Sequence, residues 1–103
     1  MRAEDIALRL AKLRLEKGVT ARKMSLLLGQ NENYISAIER RKYLPSMQGL
    51  LDICNYLGIT MKDFFDKDIK NPSKINEIIK DLKKLDKSQL EAVSSIVKEM
   101  NKK

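Results

Sequence analysis

Histidine and tryptophan are absent, and cysteine occurs once. Without imidazole the chain lacks the usual acid–base side chain, and one thiol cannot build a Cys/His metal set. A lone cysteine also excludes an intrachain disulfide and fits a reducing compartment. No glycine-rich phosphate loop is present either. These gaps argue against an enzyme and lead us to expect neither cofactor nor metal. There are only two prolines and four glycines, with little alternation of β-branched residues, which favours an all-α fold. No apolar run approaches the roughly 18 residues of a membrane span, and no charged-then-apolar leader opens the sequence. The expected location is therefore cytoplasmic, with no membrane partner.

What the chain has in excess is positive charge: 21 basic against 14 acidic residues, a net +7. Such a balance fits a polyanionic partner, and equally an ordinary basic protein. The arginines are unevenly placed. All six lie at or before Arg41, and every later cation is lysine. Arginine makes the bidentate contacts that read bases and phosphates, so the N-terminal part is the better contact candidate. A general preference for lysine would give the same bias.

The organising stretch is Thr20 to Arg40. Thr20 is placed to cap a helix over 21–28, with Met24 and Leu28 on one face. Gly29 can take the positive φ that a tight turn needs. Asn31 then caps a second helix over 32–39, with Ile35 and Ile38 inward and Asn33, Ser36, Ala37 and Arg40 outward. Ser25 is small where the two helices would approach. This is the pattern of a helix-turn-helix, whose second helix suits the major groove of DNA.

Other elements follow from similar signals. Glu4 to Lys17 reads as a first helix with Ile6, Leu10 and Leu13 on its apolar face, stopped by Gly18. Ser46 caps a fourth helix with Leu50, Leu51, Cys54 and Leu57 inward, ended by Gly58. Cys54 reads as a small core residue. Thr60 caps a short fifth helix carrying Met61, Phe64 and Phe65. Asp63 and Asp66 read as the surface ends of that helix.

Residues 6–65 resemble the five-helix DNA-binding domain of the Xre family, which includes the lambdoid phage repressors and Cro. The residues that carry the likeness are Ile6, Arg9, Leu10, Leu13 and Arg14, then Gly18-Val19-Thr20, Met24, Leu28-Gly29, Tyr34-Ile35-Ser36 and Ile38-Glu39-Arg40. Pro45-Ser46, Leu50-Leu51, Ile53, Leu57-Gly58-Ile59 and Asp63-Phe64-Phe65 complete it. The resemblance implies a lambda-repressor-like domain over 1–68, with 69–103 as an appended helical hairpin. Four positions depart from the pattern. Ala21 replaces a usual glutamine contact, so Arg22 or Lys23 would have to supply it. Gln30 replaces an apolar turn residue. Arg41 stands where a glycine usually closes the recognition helix in left-handed geometry, at a cost of about 1 kcal/mol. Gly49 sits inside a helix at a similar propensity cost.

The resemblance further implies a groove-facing set of Asn31, Glu32, Asn33, Ser36, Ala37 and Arg40. Asparagine suits adenine, arginine suits guanine, and an alanine methyl suits thymine. Glu32 has two roles open to it, accepting from cytosine or capping its own helix, and capping is favoured. Phosphate contacts are expected from Arg22, Lys23, Arg41 and Lys42, from Tyr34 at the edge, and from amides at the Ser46 helix start. Between 22 and 42 five cations face two carboxylates, Glu32 and Glu39. Arg14 and Glu39 are implied to meet as a largely buried ion pair that locks the first helix to the recognition helix.

After a linker over 66–72, Pro72 fits a first helical position behind an Asn71 cap. Ile75, Ile78, Ile79, Leu82 and Leu85 recur at helical spacing. Asp86 and Gln89 form a capping box for a last helix bearing Leu90, Val93, Ile96, Val97 and Met100. Two such helices carry more apolar surface than they can hide against each other, and a second copy of the tail is the expected cover, giving a homodimer. Leu8, Ala11 and Leu15, with Leu26 and Leu27, are more apolar than the family pattern, so some of them are expected to dock a tail. The expected function is sequence-specific double-stranded DNA binding as a homodimeric transcriptional regulator, a repressor by family tendency. The alternative is an antitoxin or protein-interaction module whose tail binds a different partner protein.

Overall fold

The computed structural model describes residues 2–102, and every regular element among them is helical. The chain divides into two compact units, one through Ser73 and one from Lys74.

The first unit holds α1 (Ala3–Lys17), α2 (Ala21–Leu27), α3 (Tyr34–Glu39), α4 (Met47–Leu57) and α5 (Met61–Phe65). Each start carries a local signal. Asp5 accepts from the Arg2 amide ahead of α1. Thr20, Ser46 and Thr60 accept from the amides of Lys23, Gly49 and Asp63, the third residue of α2, α4 and α5. The expectation that Asn31 caps a helix from residue 32 needs correction. Its side chain accepts from Asn33 N at 2.9 Å within a turn, and α3 begins only at Tyr34.

The core draws one or more side chains from each of these five helices. Leu10 and Leu13, Met24, Ile35 and Ile38, Ile53, Cys54 and Leu57, and Phe64 are all buried. Each fully buried aliphatic side chain contributes roughly 1.5–3 kcal/mol. Leu51, expected inward, is exposed, as is Phe65, whose ring lies edge-on to Phe64. Arg9 is an unexpected member. It is 4% exposed and donates from Nε and one Nη to the carbonyls of Phe64 and Asp63, both at 2.7 Å. A cation thus closes the carbonyl end of α5 from α1.

The tail comprises α6 (Pro72–Leu82) and α7 (Lys87–Met100). Asp86 and Gln89 form the expected reciprocal box, at 2.8 and 3.0 Å. Asn71 differs from expectation. It adopts φ +53°, and its amide donates to the Glu16 carboxylate. From residue 74 onward no described residue is buried: Leu82, Leu85 and Val93 are half-covered, and Ile75, Ile78, Ile79, Leu90, Ile96, Val97 and Met100 are exposed. Leu8 and Leu15 of α1 are exposed, at 70% and 66%, and so are Leu26 and Leu27. No helix among the described residues is long and apolar enough to cross a membrane.

Candidate nucleic-acid interface

Two bonded turns define the site. After α2, Gly29 at φ +74° lets its own amide reach Leu26 O and the Gln30 amide reach Ser25 O, both at 3.0 Å. After α3 the same arrangement recurs with Arg41. Its amide bonds Ile38 O at 2.9 Å, the Lys42 amide bonds Ala37 O at 3.0 Å, and Arg41 adopts φ +64°. The left-handed arginine foreseen from the sequence is therefore present.

Three contacts fix α3 to its neighbours. Arg14 grips Glu39 bidentately at 2.7 and 3.0 Å, with both side chains about 15% exposed. Arg14 also donates to Val19 O at 2.9 Å, which ties the α1–α2 loop into the same network. The hydrogen bond to Glu39 holds the Arg14 guanidinium above its ordinary range, against the opposing effect of burial. On the other arm, the fully buried Ser25 hydroxyl donates to Ala21 O at 2.7 Å and accepts from Ile35 N at 2.9 Å. A serine read only for its smallness thus caps the first turn of α3 from α2.

The third contact involves Tyr34. It is 9% exposed, and its ring packs against Tyr43 at 6.3 Å. A Cβ at Gly49 would lie 2.6 Å from its hydroxyl oxygen, so glycine is needed there for the ring to pack on α4. Desolvation pushes the Tyr34 phenol above its usual range, with Tyr43 and Asp52 adding to the shift. Of the two roles open to Tyr34, touching a phosphate or packing at the edge, the packing is present. Ala37 is corrected. It is buried at 9% exposure and does not present its methyl outward. Four of the six residues of α3 are buried, which leaves a narrow outward strip.

That strip consists of Asn31, Asn33 and Arg40, all exposed, with Ser36 half-covered. The Ser36 hydroxyl donates to Asn33 O at 3.1 Å, and Arg40 Nε donates to Ser36 O at 3.3 Å. Glu32 does not cap α3. Its carboxylate takes a hydrogen bond from Arg22 Nε at 3.0 Å. Arg41 lies 3.5 Å from Glu4, which also pairs with Arg2 at 3.0 Å. Lys23 and Lys42 are exposed and form no ion pair among the described residues, and Ser46 is exposed at the start of α4. Glu4, Glu32 and Glu39 are thus each matched by an arginine. No group of three or more potential metal ligands occurs among the described residues.

A family profile described as a helix-turn-helix domain matches residues 8–70. The chain belongs to this helix-turn-helix family. Its function class is DNA binding, and transcription regulation goes with it. No curated protein and no solved structure gives a match to this helix-turn-helix protein.

Proposed function

We propose that this helix-turn-helix protein is a transcriptional regulator of the Xre/Cro type that binds double-stranded DNA sequence-specifically in the cytoplasm. It is a binding protein rather than an enzyme. The observation that carries the reading is the uncovered set of Asn31 and Asn33 in the turn before α3, Ser36 on it and Arg40 just after it, around a helix whose inner side is anchored by Arg14, Ser25 and Gly49. Asparagine amides match the N6/N7 edge of adenine, and the Arg40 fork matches the O6/N7 edge of guanine. Arg22, Lys23, Arg41, Lys42 and the amides after Ser46 take phosphates and set the register.

The protein acts as a homodimer joined through α6 and α7 and represses by occluding a promoter. The uncovered apolar faces of those helices support this, because a single helix-turn-helix reads few base pairs and two read half-sites about 34 Å apart. The same faces also support a second reading, in which they hold a different protein, as an antitoxin would. Selection from a random duplex pool, with light scattering on the purified chain, tests both. The expected result is a symmetric pair of half-sites bound by a dimer. Retention of no duplex at low ionic strength overturns DNA binding. A monomer at tens of micromolar overturns the homodimer and leaves the second reading.

A further inference from the structure

We infer that Glu32 is a positioning residue: it holds the Arg22 guanidinium ready for a DNA phosphate and does not read a base. The inference rests on the DNA-binding reading above and adds a role within it.

Arg22 is the second residue of α2, and Glu32 lies ten residues later in the turn before α3. Arg22 Nε donates to Glu32 Oε2 at 3.0 Å, with the two side chains 71% and 55% exposed. The pair therefore spans the outer side of the turn, beside Asn31 and Asn33. A carboxylate on a surface meant for a polyanion is unfavourable unless it does something that offsets the repulsion. Here it engages Nε and leaves both terminal nitrogens of the guanidinium for a phosphate. Arginine is long and rotamer-rich, so fixing its plane before encounter removes an ordering cost from binding. The preceding residue, Ala21, has no polar side-chain atom, so Arg22 is the first side chain of α2 able to make this contact.

The sign of one substitution tests the idea. Removing a negative charge from a phosphate-facing surface ordinarily tightens binding. The positioning role instead predicts that Glu32→Gln weakens binding to the pool-selected duplex and to a scrambled duplex of equal length by the same factor, about 2–10-fold. Arg22→Ala should weaken both duplexes and reduce the slope of log affinity against log salt by about 0.9. In the Arg22→Ala background, Glu32→Gln should produce no further weakening. Arg22→Lys should keep the salt slope without restoring affinity. Retained helical circular dichroism excludes misfolding as the cause. Tighter binding by Glu32→Gln, or a changed base preference at one position, overturns the positioning role while DNA binding stands. Failure of the unaltered protein to bind either duplex overturns the DNA-binding reading and this inference together.

Discussion

Ser25 and Ile35, one on each arm of the helix-turn-helix, are joined by a hydrogen bond from the Ile35 amide to the Ser25 hydroxyl at 2.9 Å, with both residues fully buried. Ser25→Ala leaves that amide without a partner and out of reach of water. The expected cost is about 1–3 kcal/mol. In a domain of this size each kcal/mol lowers the melting midpoint by about 4–8 °C. A thermal melt that does not move would show that the bond contributes nothing.

Arg14 and Glu39 should behave as a unit. Arg14→Met or Glu39→Met alone strands one charge of a pair that is mostly shielded from solvent, at a cost of up to about 3–5 kcal/mol. Arg14→Met combined with Glu39→Met should recover much of that loss, because no lone charge remains. Urea denaturation of the three variants decides it. Strict additivity would mean that the pair is not coupled.

Gly49→Ala should break the usual rule for helical glycines. Alanine at an unobstructed helix position is favoured by about 1 kcal/mol. Here the new methyl would meet the Tyr34 hydroxyl at 2.6 Å and Ser46 Oγ at 3.2 Å. The substitution is expected to lower stability, and Tyr34→Phe in the same chain should relieve the clash. A double-mutant cycle in guanidinium reads the coupling directly.

Burial, with the Asp63 carboxylate adding, pushes the Cys54 thiol up to about 11, from 9.0. The folded state therefore keeps its proton where the unfolded chain has lost it. This contribution to stability is complete below pH 9 and is lost as pH rises toward 11. Tyr34, also raised, adds a second loss that begins above pH 10. Cys54→Ala should flatten the decline between pH 9 and 11, as followed by denaturation at fixed ionic strength. The native thiol should also resist a maleimide at pH 8 and react once urea is added.

If the proposed contacts hold, Asn33→Ala on the outward strip and Lys42→Ala beside it should fail differently. Loss of a base-reading amide is expected to cost about 1–3 kcal/mol on the selected duplex and to relax preference at one position. Loss of Lys42 should weaken all duplexes alike and reduce the salt slope by about 1. Identical behaviour of the two variants would contradict the division of roles.

Much of the helical layout is legible because its signals are local. Thr20, Ser46, Thr60 and Asp86 each announce a helix through a bond three residues ahead. The left-handed turn at Arg41 and the Arg14–Glu39 pair followed from the family resemblance. What was misread depends on tertiary packing. Ala37 reads as outward, but α3 is only six residues long and buries four of them, Ala37 included, so both flanks of its inner face are covered. Gly49 looked like a propensity defect until the Tyr34 ring was seen against it. The Arg22–Glu32 pair joins long, flexible side chains ten residues apart, a separation that leaves no periodic trace in sequence. Arg9 shows the same limit, since its partners at Asp63 and Phe64 are more than fifty residues away.

From residue 74 onward α6 and α7 bury no described residue fully and leave most of their apolar side chains uncovered. A segment with so thin an interior is stabilised by any partner that binds its folded form alone, by an amount that grows with the partner's concentration. Under the homodimer proposed above, dilution should loosen α6 and α7 well before it disturbs the first unit, and the far end of this protein becomes a gauge of abundance.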